Sequence, residues 1–242
     1  MDAPRPTTST RWVFNLAFTR TIDCGTKCVA DPASHTIYCT TEPLIGGAEL
    51  HATLFAIDTI DGHQKWSAFP GPIAGGPVIG PDRVYVASTA GVVSAFDLTG
   101  TPLWSLALAN GVQLAPALTH AGSAQRLVLV DDAGTLRQVL DLGSGAAEVT
   151  PIVAAPGAHY TSAPVVSATD QAFVGRSDGS VEQVDLDVGF HIGAETIAAG
   201  GTVEGVVLDL VGETCPARLV VTAAAAGGAA GEASRVLVPL GP

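Results

Sequence analysis

Four aspartates stand at matching points of the chain. Asp58 ends Leu54-Phe55-Ala56-Ile57-Asp58, Asp97 ends Ser94-Ala95-Phe96-Asp97, Asp141 ends Gln138-Val139-Leu140-Asp141, and Asp185 ends Glu182-Gln183-Val184-Asp185. Gathered at one point, such carboxylates would bind a cation or move protons. Each, however, precedes a glycine turn, where an aspartate accepts backbone N–H groups and shapes the turn. The spacing favours the turn role. Asp31, Asp82, Asp170, Glu204 and Asp209 are the carboxylates nearest a central axis by strand order. Most lie in hairpin turns, and glycoside chemistry would require two of them within about 5–10 Å. Asp131-Asp132 and Asp185-Leu186-Asp187 lack the alternating oxygen ligands and glycine of a calcium loop. His35, His51, His63, His120, His159 and His191 are scattered, with no two at metal-ligand spacing. No serine nucleophile elbow and no phosphate-cradling loop before a helix is present. No catalytic, cofactor-binding or metal residue is assigned, and no cofactor is expected.

The cysteines are Cys24, Cys28, Cys39 and Cys215. Cys28–Asp31 and Thr36–Cys39 form a hairpin with its midpoint near Ala33–Ser34, so Cys28 and Cys39 lie nearly opposite each other. Cross-strand neighbours are close enough to bridge. Cys24–Cys39 is the competing pair. A zinc site from Cys24, Cys28 and Cys39, with His35 nearby, has poor spacing, and reduced buried thiols are the third reading. Cys215 is expected to be free or paired with another chain.

The elements that carry these residues repeat. The four aspartates are about 39–44 residues apart, the period of one four-stranded propeller blade. Gly91, Gly134 and Gly179 each close a turn after an apolar run, and Pro77, Pro116 and Pro164 open the strands before those runs. Proline is tolerated at a strand's first residue, where the ladder needs no donor. Gly134 to Asp141 is one residue longer than Gly91 to Asp97 and Gly179 to Asp185. At the N-terminus, Trp12–Leu16 is an outer strand with no inner strands before it. At the C-terminus, Val206–Leu210, Arg218–Thr222 and Arg235–Val238 are three inner strands with no outer strand after them. The expected fold is all-β, a single five-bladed propeller over residues 11–242, with the N-terminal strand completing the last blade. Such closure removes exposed sheet edges. Residues 1–10 are a Pro/Thr/Ser linker or the start left after a removed leader, a genuine cytoplasmic N-terminus being the alternative. Ala223–Ala233, broken by Gly227, Gly228 and Gly231, is expected to be a loop rather than a helix.

Trp12, Trp66 and Trp104 recur at one blade position and are expected to pack between neighbouring blades. Arg83–Trp104 carries hydrophobic-Tyr-Val-Ala-Ser, a Gly turn, Ala-x-Asp, Thr-Gly and Trp, and Leu54–Trp66 a weaker version. This phrase resembles the pyrroloquinoline-quinone (PQQ)-like β-propeller repeat. In the third unit the tryptophan slot falls at Val149, and in the fourth at Gly193. The quinoprotein dehydrogenases of this resemblance have a larger ring. They hold cofactor and calcium on its axis with a catalytic aspartate, a stacking tryptophan and, in many, adjacent cysteines. This sequence has no adjacent cysteine pair, and its tryptophans are used by the repeat, so the resemblance carries over no catalytic or cofactor residue. In other relatives such repeats are interaction modules of envelope assembly factors and extracellular sensor domains.

The formal net charge of −12 repels phosphate backbones, so nucleic acid is not an expected partner. No run of about 18 apolar residues marks a membrane span. The expected function is a non-catalytic binding or scaffold domain, secreted, periplasmic or at the cell surface. Its loops or axial funnel would meet a protein or glycan. Thr19–Lys27, Glu42–Thr53 and Ala223–Ser234 depart most from the repeat, and function on such scaffolds sits in insertions. A carbohydrate-active enzyme and a fragment of a larger quinoprotein ring are the alternatives.

Overall fold

The structure, a computed structural model, describes residues 27–41, 54–73, 75–154, 156–167, 169–197, 199, 201–209, 218–224 and 236–239. Nineteen strands form five antiparallel sheets, and no helix occurs among the described residues. The first sheet is β1 (Lys27–Asp31), β2 (Thr36–Thr40), β3 (Leu54–Asp58) and β4 (Gln64–Ala68). The second is β5 (Val78–Ile79), β6 (Arg83–Ala87), β7 (Val92–Asp97) and β8 (Pro102–Ala107). The third is β9 (Ala117–Ala121), β10 (Ala124–Val130), β11 (Thr135–Asp141) and β12 (Ala146–Val153). The fourth is β13 (Val165–Val166), β14 (Gln171–Gly175), β15 (Ser180–Asp185) and β16 (Phe190–Thr196). The last holds three strands, β17 (Thr202–Asp209), β18 (Arg218–Ala224) and β19 (Val236–Pro239). Ala223 and Ala224 thus belong to a strand, and the rest of the alanine-rich tract, like Trp12–Leu16 and Cys24, lies outside the described residues.

Every sheet is a meander in chain order. The first strands lie side by side, β1 against β5, β5 against β9, β9 against β13 and β13 against β17. That is the blade arrangement of a propeller. The core lies between the sheets. Val84 packs with Tyr38 and Ala56 of the first sheet, whereas Tyr85 and Ala87 pack with Leu127 and Leu129 of the third. A strand covered on both faces reads as a continuous apolar run rather than an alternating one, and Val84–Ala87 are all buried. The outer strand of each four-stranded sheet joins with a register shift. Such bulges increase the local twist.

The blades are tied together by the links between them. Thr89 N–H donates to Pro72 O, Asp132 N–H to Gly111 O, and Ser177 N–H to His159 O, each bond crossing from one blade's turn to the link that precedes that blade.

Cys28 and Cys39 are directly opposite in the β1–β2 ladder and form a disulfide, Cα–Cα 4.2 Å, separated by 11 residues. Closing so short a loop removes about 2–3 kcal/mol of chain entropy from the unfolded state. Urea unfolding with and without a phosphine reductant is expected to show that loss. An unchanged midpoint would show that the bond does not stabilise the sheet.

Candidate functional site

The repeated aspartates end the third strand of each four-stranded sheet. Asp58 Oδ1 accepts Ile60 N–H at 2.7 Å. Asp97 Oδ1 accepts the N–H groups of Thr99 and Thr101, both at 2.9 Å, and the Thr99 hydroxyl. Asp185 Oδ1 accepts from Asp187 and Val188. These are turn-capping bonds.

Asp141 adds a second role. Its Oδ1 accepts Gly143 N–H at 2.7 Å, and its Oδ2 accepts both the Tyr85 hydroxyl and the Arg83 guanidinium, each at 2.8 Å. Only 2% of the side chain is exposed. The extra residue between Gly134 and Asp141 accounts for this. Val93 and Ala95 of β7 pack toward the following sheet, but Val139 of β11 packs back toward Tyr85 of the preceding one. A one-residue offset in a strand moves each side chain to the opposite face, so Asp141 turns toward the second sheet. There it holds Arg83 and Tyr85. Burial first, and then the hydrogen bond to Asp141, push the Tyr85 phenol well up, so it remains a donor. The turn itself is shortened, and the left-handed glycine is Gly143 rather than Gly145.

A second set of charges was not singled out by the aspartate repeat. Three residues before and after each turn glycine, the second blade has Ser88 and Ser94, the third Asp131 and Arg137, and the fourth Arg176 and Glu182. Asp131 and Arg137 pair at 2.7 Å, and Arg176 and Glu182 at 3.6 Å, so two blades carry the same ion pair with its charges exchanged. Arg137 also reaches Glu148, and Glu182 also meets His191 at 2.8 Å. Comparing the positions three before and three after each glycine finds the exchange in the sequence. The burial that makes it costly to break appears only in the fold.

Trp66 crosses from the first blade to the second. Its Nε1–H donates to Leu98 O at 2.9 Å, and its ring stacks on Phe96 at 6.3 Å between centroids. Trp104 packs on Tyr85 and among Leu127, Leu129 and Val139 of the third blade. Trp12 is outside the described residues. In the third blade Val149 holds the tryptophan's ladder position, opposite Gln138 as Trp104 is opposite Ala95, but the side chain that reaches the next blade's turn is Ile152. Ile152 is buried with Leu136, Val184 and Leu186 and is the nearest side chain to the turn glycine of the fourth blade, Gly189. A bulge between Leu136 and Gln138 separates Ile152 from Val149 in the ladder.

Three further carboxylates have partners, Asp170 across a blade junction. Asp31 accepts from Ala33 N–H and Ser34, Asp82 pairs with Arg83, and Asp170 accepts the Thr119 hydroxyl. Glu204 is exposed on β17, and Asp209 ends that strand. Asp131 accepts from Ala133, Thr135, Asn110 and Arg137, so nitrogen donors already surround its carboxylate, and exposed Asp187 pairs with Arg126 through Oδ1. Asp58, Asp61 and His63 have ligand atoms within 4.8 Å of one another. The Lys65 ammonium, 3.1 Å from Asp58, occupies that corner.

Turn bonding sets an acid limit. The Thr99 hydroxyl and Thr101 N–H hold Asp97 below the ordinary carboxylate range, and Ile60 N–H does the same for Asp58. For Asp131, burial pushes up but is outweighed by Asn110, Thr135 N–H and Arg137. A depressed folded-state value stabilises above the unfolded value and is lost as pH falls through the folded one. Stability is therefore expected to hold above about pH 4 and to drop below it. Thermal melts from pH 7 to 2 would show this, and a loss centred near pH 6 would contradict it.

The surface that remains is acidic. The four arginines with described side chains, Arg83, Arg126, Arg137 and Arg176, are each at most 16% exposed and in ion pairs. No helix among the described residues is long and apolar enough to cross a membrane.

The chain matches the family model described as "Outer membrane protein assembly factor BamB" over residues 50–235. No curated protein matches it. Among solved structures it resembles the Cps50 (Swd1) β-propeller domain of Myceliophteria thermophila, at TM-score 0.64 and 15% identity. That match covers 82% of this chain and 62% of the other. It also resembles BamB from Moraxella catarrhalis, at TM-score 0.56 and 16% identity, over 75% of this chain and 57% of that one. The chain thus spans less than two thirds of either structure. The fold is that of a β-propeller, and with a family model matched over most of its length the chain belongs to the BamB-like family of PQQ-like repeat propellers.

Proposed function

We propose that this chain is a non-catalytic binding scaffold of an exported assembly, its partner a polypeptide. Residues 11–242 would form one five-bladed ring, with Trp12–Leu16 completing the sheet of β17, β18 and β19. The observation that carries the reading is how the polar side chains are used. The repeated aspartates cap turns, and the described arginines tie blades or strands together. These groups are spent on rigidity, and what faces outward is an acidic surface with exposed apolar residues. The family's description as an outer membrane protein assembly factor supports an envelope setting, as does the disulfide. The test presents the immobilised intact chain with a panel of extended polypeptides and a glycan array, and assays glycan hydrolysis alongside. Saturable polypeptide binding is expected. Glycan binding or turnover without polypeptide binding would overturn the reading.

A further inference from the structure

The outer edge of the fourth sheet differs from its counterparts. Among the described residues nothing pairs with the outer side of β16. An unpaired edge presents a row of N–H and C=O groups, and proteins ordinarily blunt such edges with lysine or proline. β8 begins at Pro102 and β12 contains Pro151, and β4 carries Lys65, whose ammonium turns back over the sheet to Asp58 and Thr36. β16, Phe-His-Ile-Gly-Ala-Glu-Thr, has neither. The bulge does not set it apart, because all four outer strands have one. Phe190 is 67% exposed, Ile192 45%, and Val188 in the turn before them 75%.

The charge around this edge has one sign. Asp187 and Glu195 are exposed. Between Arg176 and Arg218 the chain has eight acidic residues and no lysine or arginine. Arg126, which reaches this blade from the third, is buried and paired with Asp187.

We propose, resting on the scaffold reading above, that β16 is a docking edge for an extended partner segment that alternates apolar residues with lysine or arginine. The segment joins the fourth sheet as a fifth strand. Backbone pairing supplies the main attraction, Phe190 and Ile192 offer apolar cover, and Asp187 and Glu195 select the basic residues.

The probe is a fluorescein-labelled octapeptide of alternating valine and lysine. Its control carries N-methyl groups on alternate residues, which keep charge and composition but delete the donors of one strand edge. In fluorescence anisotropy with the intact chain, the unmethylated peptide is expected to bind at least about tenfold more tightly than the control. Phe190→Lys and Ile192→Lys are each expected to weaken it by about tenfold at an unchanged melting temperature, because both side chains are exposed. Amide hydrogen exchange should slow across β16 when the peptide binds. Equal binding of the two peptides, or unchanged affinity in both variants, would mean adhesion to an acidic surface. That would sink the edge proposal and leave the scaffold reading standing. Failure of the unmethylated peptide to bind would also overturn the edge, and if the array then showed glycan binding without polypeptide binding, the scaffold reading would fall with it.

Discussion

Asp141→Ala is expected to lower the unfolding free energy by about 2–4 kcal/mol. The loss is not the strength of one contact. Asp141 is the acceptor for the Arg83 guanidinium and the Tyr85 hydroxyl, and Tyr85 is fully buried. Removing the carboxylate leaves the Tyr85 hydroxyl between two sheets with no acceptor and takes from Arg83 its buried partner, leaving it Asp82 on the exposed side, and an unsatisfied buried donor incurs its full desolvation penalty. Tyr85→Phe removes a donor instead. It leaves Asp141 with Arg83 and Gly143, so the expected loss is about 1–2 kcal/mol. Asp97→Ala breaks capping bonds on an exposed turn, where water replaces them, and should cost less than Asp141→Ala. Urea unfolding of the three variants tests the order. Equal losses for the two aspartate variants would show that Asp141 is only another turn cap.

Gly100→Ala is expected to destabilise by about 2–4 kcal/mol, from two sources that can be separated. Gly100 has φ +91°, which a side chain adopts only with strain. A Cβ there would also lie 2.7 Å from Cδ2 of Trp66. The indole cannot slide away without losing its bond to Leu98 O. Gly143 provides the control, with φ +88° and nothing within 4 Å of a Cβ. Gly143→Ala should show the strain alone, about 1–2 kcal/mol. Trp66→Ala should itself lose about 2–4 kcal/mol. In the Trp66→Ala/Gly100→Ala double variant the steric part disappears, so the double loss should fall short of the sum by at least about 1 kcal/mol. Additive losses would mean that the indole and the glycine are independent.

This pairing gives a physical reading of the repeat. Thr-Gly and Trp look in the sequence like two features of one blade. In the fold, the tryptophan of the first blade rests on the glycine of the second. At this junction the two parts of the motif meet across blades. At the third-to-fourth junction the glycine is kept as Gly189, and Ile152 rather than an indole is the nearest side chain to it.

The sequence by itself determined the unit. Turn glycines, strand-opening prolines and the aspartate period each reflect a local demand, φ above zero, a missing donor or a capped turn, and local demands are written within a few residues. They placed Cys28 opposite Cys39, and they marked β17, β18 and β19 as three strands. What only the tertiary structure decided is which side chains meet across sheets. One extra residue in β11 is visible in the sequence, but its consequence depends on the neighbour it turns toward. Period-two alternation sends Asp141 to whichever sheet lies behind, and that sheet supplies Arg83 and Tyr85. That Ile152 rather than Val149 meets the next blade's turn is equally silent, because the contact is with a distant part of the chain. The edge of β16 is exposed for the same reason. Absence of lysine and proline is legible in the chain, but only the strand order shows that no described strand covers it.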